Sequence, residues 1–251
     1  MDRRAHPDRQ VEALAAFRRA LHGRAMTARR DALMDLLDAV IGHDGRLDCL
    51  PELALGSIFR RRHPSVYDAL AHGQIERDVL ESLLIEIAEA ACDGPPVYAL
   101  DESAYPRPSA DTLAEREMVA ISVGDRHLGR PGFWYSFLAR LDTGAGAWAV
   151  PVSARRGAPG ADRLAAAAAQ VRDLVARLPA SGCRPLVVAD AGYPPGRLAA
   201  LLAGVPVDLF IRVRSDRVLR RPAGPRPAGT MGRSRRWGVR IEMADPARLP
   251  A

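Results

Sequence analysis

The hydrophobic rhythm of this chain changes at Cys92-Asp93-Gly94-Pro95-Pro96. Before that point apolar residues recur at helical spacing; after it they come in short runs bounded by Gly and Pro. Val11, Leu14, Ala15, Phe17 and Leu21 mark one helix ending at Gly23. Leu33, Leu36, Leu37, Val40 and Ile41 mark a second, stopped by Gly42. Two further helices, over residues 65–72 and 75–90, flank His72-Gly73, the first capped by Ser65. A helix pair around a Gly turn is a candidate DNA-reading motif, although most such pairs are structural. Residues 1–92 are therefore expected to form a helical region.

From residue 97 the pattern predicts strands at 97–103, 117–124, 134–142 and 147–153, the last two forming a hairpin across Thr143–Gly146. The run 162–178, rich in Ala, is the clearest helix in the chain. Residues 185–190 have the continuous apolar character of a strand buried on both faces. A short helix opening at Pro194-Pro195 and a strand at 207–214 follow. An antiparallel portion followed by βαβ units predicts an α/β unit over 97–251, a mixed sheet flanked by helices. Residues 220–238 read as a basic loop or edge hairpin, and Gly129–Gly132 (GRPG) as a turn. Trp134, Trp148 and Tyr135 fall on expected strands and are assigned to the core.

With 48% apolar and 26% charged residues, the chain has the composition of a globular protein. It contains no apolar run long enough to cross a bilayer and no signal-peptide pattern, so no membrane partner and a cytoplasmic location are expected. Cys49, Cys92 and Cys183 form no CxxC pair and are expected to be buried free thiols. The six His show neither HxxxH nor HExxH spacing. The formal charge of +6 favours an anionic partner, and its distribution says more than its total. Residues 212–240 hold ten Arg against one acid, Asp216, and residues 60–62 are three consecutive Arg. Because all 36 basic residues are Arg, the choice of Arg over Lys carries no information about phosphate.

Two carboxylates stand out. Asp101 follows the apolar run 97–100, and Asp190 follows 186–189, each near the C-terminal end of an expected strand, where α/β sheets gather ligands. If those strands are parallel neighbours, the two acids lie side by side, and a divalent cation relieves their repulsion. Oxygen ligands of this kind suit Mg²⁺ or Mn²⁺, which can activate water against a phosphodiester. The plainer alternative is that each Asp caps its turn; Ala-Gly-Tyr-Pro-Pro after Asp190 is turn chemistry in itself.

DESAYPRP (101–108), the segments within 134–156, VVADAGY (187–193) and IRVRSDRVLRRP (211–222) together resemble the DDE-type transposases of bacterial insertion sequences, the DDE superfamily endonucleases with an RNase H-like core. The resemblance runs from about residue 33 to the end of the chain. It implies an RNase H-like mixed sheet preceded by an all-helical region, with Asp101 and Asp190 as the first two acids of a metal-binding triad. It further implies Mg²⁺-dependent (or Mn²⁺-dependent) cleavage and strand transfer on double-stranded DNA, both element ends and target, by a homodimer. Arg107, Arg212, Arg214 and Arg217 become candidates for gripping backbone phosphate; ion pairs with Asp208 or Asp216 are the bland alternative. The family's third acid is a Glu on a later helix. Here Glu242, within an expected strand, is the only Glu beyond residue 190, so the core is expected to be C-terminally incomplete and the copy truncated or inactive. Two other readings remain: a catalytically dead DNA-binding descendant, and an RNase H-like nuclease without strand transfer.

Overall fold

The computed structural model describes residues 7–92, 94–123, 126–143, 148–179, 183–214, 216–225, 229, 231–233 and 236–242. Its first half runs α1 (Pro7–Ala20), a π-helical turn (Leu21–Ala25), β1 (Met26–Ala28), α2 (Arg30–Ile41), α3 (Leu50–Leu55), α4 (Pro64–His72), β2 (Gln74–Ile75) and α5 (Arg77–Ala91). α1, α2, α4 and α5 lie where the apolar spacing places them, whereas α3, the π-helical turn and two short strands are additions; β1 and β2 pair antiparallel, Met26 opposite Ile75. Ser65 does not cap α4, which begins one residue earlier at Pro64 with no side-chain cap bond. Proline suits that first turn because its missing N–H has no intrahelical partner there anyway.

Leu21, Met26, Leu33, Leu36, Leu53, Phe59, Val66 and Leu83 form the core of this half. The apolar stripe of α2 is wider than the face it buries: Ala32, Leu33, Leu36 and Ala39 are inside, while Ile41 is 80% exposed. The Arg60–Arg62 run is not a free basic patch. Arg61 pairs with Asp35 at 2.9 Å and Asp31 at 3.8 Å, and Arg60 approaches Asp35 at 3.6 Å. Acids spaced along α2 thus neutralise most of a charge run that looks unopposed in sequence.

The second half contains β3 (Val97–Pro106), β4 (Glu117–Val123), β5 (Arg126–Leu141), β6 (Ala149–Arg156), α6 (Arg163–Arg177), β7 (Leu186–Ala189), α7 (Pro195–Leu201), β8 (Asp208–Ile211), β9 (Val218–Pro222) and β10 (Trp237–Glu242). The main sheet is ordered β4-β5-β3-β7-β8, with β6 also on β5. β5 pairs antiparallel with β3, β4 and β6, whereas β3–β7 and β7–β8 are parallel. This is the α/β, RNase H-like mixed sheet flanked by helices. The expected hairpin is β5–β6, although Gly144, Ala145 and Gly146 lie outside the described residues.

The GRPG segment is a correction. It lies inside β5, where Gly129–Gly132 pairs with Glu117–Ala120 of β4. Pro131 lies one residue beyond the last β3–β5 pair, Pro106↔Gly132, and its carbonyl accepts from Arg107 N–H at 2.7 Å. The basic segment after residue 217 forms an antiparallel ribbon, β9–β10, separate from the main sheet, with Arg226 and Arg235 outside the described residues. Trp134 is buried, but Trp148 is 77% exposed, against its assignment to the core. The cysteines are free, yet only Cys92 is buried; Cys49 lies exposed beside Glu52 and Cys183 is also exposed.

One face of the sheet carries Tyr98, Leu100, Leu138, Val152 and Val187 against Leu164, Ala167, Ala168, Val171 and Leu174 of α6. Small Ala side chains let that helix approach closely. Its N-terminus is capped by Asp162, which accepts from Leu164 N–H at 3.0 Å and Ala165 N–H at 3.2 Å. α5 serves both cores: Leu83 packs with the helical half, and Ile85 and Ala88 with the sheet. What α5 exposes includes Arg77, Asp78 and Glu86, a mixed and partly acidic surface.

Gly157 follows β6, where a Cβ would stand 1.8 Å from the buried Trp134 ring. Gly157→Ala is therefore expected to destabilise the protein by about 1–3 kcal/mol, because neither backbone nor indole can give way freely. Urea denaturation followed by tryptophan fluorescence checks this, and a midpoint equal to wild type would refute it.

Candidate active site

The parallel register Val97↔Leu186 through Leu100↔Ala189 leads directly to Asp101 on β3 and Asp190 just after β7. Strand spacing places their Cα atoms about 5 Å apart. The strand expected over 97–103 runs on to Pro106 along β5, so Asp101 lies at mid-strand, where β7 leaves the other edge of β3. Both side chains are exposed. Each has one oxygen held locally: Asp101 Oδ1 accepts from Glu102 N–H at 2.8 Å, and Asp190 Oδ1 from Gly192 N–H at 2.8 Å. Residue 192 is glycine where a Cβ would sit 2.9 Å from that Asp190 oxygen.

Glu102 points to the other face of β3 and is bound by Arg163 of α6, which also bonds Glu117 at 2.8 Å and lies over the Trp134 ring. Tyr193, three residues past Asp190, is buried, and its hydroxyl has no hydrogen-bond partner among the described residues. Burial raises the Tyr193 phenol well above its ordinary range, and the negative charges of Glu102, Asp101 and Asp190 raise it further. Sequence reasoning missed both residues. Glu102 was hidden by the acid beside it, and Tyr193 by a turn signal that explained its segment without it.

β8 brings the arginines alongside. Arg212 N–H donates to Ala189 O at 3.0 Å, which carries the parallel register to a point beside Asp190. Arg212 and Arg217 make no side-chain ion pair among the described residues, whereas Arg214 bonds Asp216 at 3.2 Å. Arg214 and Arg217, with Ala191, Asp216 and Val218, line a cleft of about 550 Å³. Arg107 is elsewhere. It follows the last residue of β3 and stacks 4.2 Å over the Tyr105 ring, six residues on from Asp101 and about 20 Å away by strand rise.

Two carboxylates with spare oxygens are a fitting donor set for a hard divalent cation. Among the described residues, no third His, Cys, Asp or Glu joins them in a metal-sized group.

A family model for DDE superfamily endonucleases matches residues 17–251. The chain belongs to that family. Endonucleases of this superfamily generally use divalent metal ions, in keeping with the chemistry of the acid pair. A solved chain of the piggyBac transposase synaptic complex with hairpin DNA is similar at 13% identity and a TM-score of 0.40, over 76% of this chain and 43% of that one. This DDE-family chain thus spans less than half the length of that relative. No curated protein matches it. No helix among the described residues is long and apolar enough to cross a membrane.

Proposed function

We propose that the chain is a DNA transposase of the insertion-sequence kind, in which Asp101 and Asp190 hold a divalent metal, Mg²⁺ or Mn²⁺, for cleavage and transfer of DNA strands. The observation that carries this reading is the β3–β7 register, which brings two exposed carboxylates side by side from residues far apart in sequence. When bound, the metal supplies Lewis-acid polarisation of the phosphodiester and eases deprotonation of the attacking hydroxyl. Asp101 and Asp190 contribute negative charge and oxygen ligands, kept in orientation by the Glu102 and Gly192 N–H groups. Arg212, Arg214 and Arg217 hold backbone phosphates beside Asp190, and Arg107 meets the duplex further along. Water attacks the phosphodiester at an element end and releases a 3′-hydroxyl; that hydroxyl then attacks target DNA, and the displaced oxygen leaves with its proton. A homodimer would present two such sites to two element ends.

In this reading residues 1–92 form a DNA-engaging helical region and residues from 97 onward the catalytic core. A second reading, a DNA-binding descendant that no longer cleaves, is favoured by the count of two acids without a third among the described residues. The test is incubation of the purified chain with linear DNA bearing the element ends, with Mg²⁺ or with EDTA. Metal-dependent nicking followed by joined products supports the transposase. Nicking without joining indicates a nuclease, and binding without nicking the inactive descendant.

The arginine cleft makes a separate prediction. Arg214→Ala with Arg217→Ala is expected to weaken DNA binding at low salt and to reduce the slope of log K against log salt by about 0.9 for each phosphate no longer neutralised. Fluorescence anisotropy across a salt series measures it; an unchanged slope removes both residues from the interface.

A further inference from the structure

We propose that Tyr193 is a positioning residue of this site, donating its hydroxyl proton in a hydrogen bond to an anionic oxygen that comes within reach when the acid pair holds a divalent metal. This rests on the reading of Asp101 and Asp190 given above. Tyr193 is 8% exposed, its ring packs in the main core with Leu198 and Leu202, and its hydroxyl has no partner among the described residues. A phenol is a donor at neutral pH, and a buried donor left unpaired destabilises a fold. Packing alone would be served by Phe, which fills the same space without the unpaired group.

The position of the residue says where the acceptor lies. Tyr193 sits on the turn from Asp190 into α7, tied back by its N–H to Asp190 O at 3.4 Å. The carboxylates whose charge reaches it are Glu102, Asp101 and Asp190. Each already has an oxygen engaged: Asp101 and Asp190 by backbone N–H groups, Glu102 by Arg163. The acceptor is therefore the second oxygen of one of these carboxylates, turned as metal is taken up, or an oxygen of the scissile phosphate. Carboxylates that ligate metals are themselves commonly oriented by a hydrogen bond from outside, and loss of that bond typically weakens metal binding or activity 10- to 100-fold, about the size of effect expected here.

The experiment compares full-length wild type, Tyr193→Phe and Asp101→Ala by thermal unfolding in metal-free buffer, Mn²⁺ titration without DNA, and DNA cleavage at saturating metal. Tyr193→Phe is expected to keep or raise the Tm, because no bond is lost in the metal-free protein. Its Mn²⁺ Kd is expected to rise about tenfold if the acceptor is a carboxylate. Unchanged Mn²⁺ binding with cleavage lowered about tenfold or more identifies the phosphate oxygen instead and equally supports the proposal. Unchanged values in both assays overturn it, as does a Tm lowered by several degrees, which would reveal a partner in the free protein. Asp101→Ala separates the two levels of inference. If it binds Mn²⁺ as wild type does, the acid-pair reading fails, and the role of Tyr193 falls with it. If it loses Mn²⁺ while Tyr193→Phe is silent in both assays, only the tyrosine proposal fails. If the wild-type chain does not cleave, the metal titration alone decides, and unchanged Mn²⁺ binding by Tyr193→Phe then overturns the proposal.

Discussion

Asp101→Ala and Asp190→Ala are each expected to lower Mg²⁺-dependent DNA cleavage on the order of a thousandfold, roughly 4 kcal/mol of transition-state stabilisation. The effect is large because each acid supplies both a ligand and a charge, and two carboxylates are all that the described residues assemble at this point. Folding should survive. Both side chains are exposed, and each carboxylate accepts only a neighbouring backbone N–H that water can satisfy in its place. Asp101→Asn and Asp190→Asn test the charge alone, since they keep shape and an acceptor oxygen. They should lose activity nearly as far as the Ala variants. Cleavage rates are measured on one DNA substrate with circular dichroism as the folding control. Equal activity in wild type and all four variants would sink the assignment of the site.

Glu81→Ala is expected to be the most destabilising single substitution among the polar residues, costing about 3–5 kcal/mol, the range for removing one partner of a buried ion pair. Glu81 lies on α5 with its side chain 5% exposed, facing β6. It accepts from Ser153 Oγ at 2.6 Å and from Arg155 through Nε at 2.9 Å and Nη2 at 2.6 Å. Arg155 also bonds Asp173 of α6 at 2.6 Å, and Gln170 of α6 reaches Ser153 at 2.6 Å, so a single network joins α5, the sheet and α6. Truncating Glu81 leaves the Ser153 hydroxyl without its acceptor and Arg155, 18% exposed, with Asp173 as its one remaining carboxylate partner. For a chain of this size the loss corresponds to a Tm lowered by roughly 6–20 °C. Scanning calorimetry measures it, and a shift below a degree or two would show that the network contributes nothing net.

The same residue sets a pH dependence. Burial acts to raise the Glu81 carboxyl, but hydrogen bonds from Arg155 and Ser153 and the charges of Arg155 and Arg177 outweigh it, holding the group below the usual carboxylate range. A depressed folded-state value means the stabilisation is fully present above the unfolded value of about 4.3 and is lost as pH falls through the lower folded value. Wild type should therefore lose stability on acidification through that window more steeply than Glu81→Gln.

Much of this protein is legible residue by residue. The rhythm change at 92–96, the Ala-rich helix α6 and the apolar runs ahead of Asp101 and Asp190 are local patterns, and local patterns reflect which face a segment buries. The charge runs misled because sequence shows a charge without its partner. Arg60 and Arg61 look free until α2 presents Asp31 and Asp35 to them, whereas Arg212 and Arg217 do remain unpaired among the described residues. The GRPG segment misled in the opposite direction, since Gly and Pro that usually break a strand are accommodated here by partners on β3 and β4.

The two aspartates mark the division most clearly. Sequence determined that each would stand near the end of an apolar run, because strand length and polarity are written in consecutive residues. Only the tertiary structure decided that they stand together, because the pairing of β3 with β7 joins residues far apart in the chain through backbone hydrogen bonds that are indifferent to side-chain identity. The same holds for Tyr193. Its burial, and a hydroxyl without a partner among the described residues, arise from where α7 and the sheet meet, a junction that no run of neighbouring residues encodes.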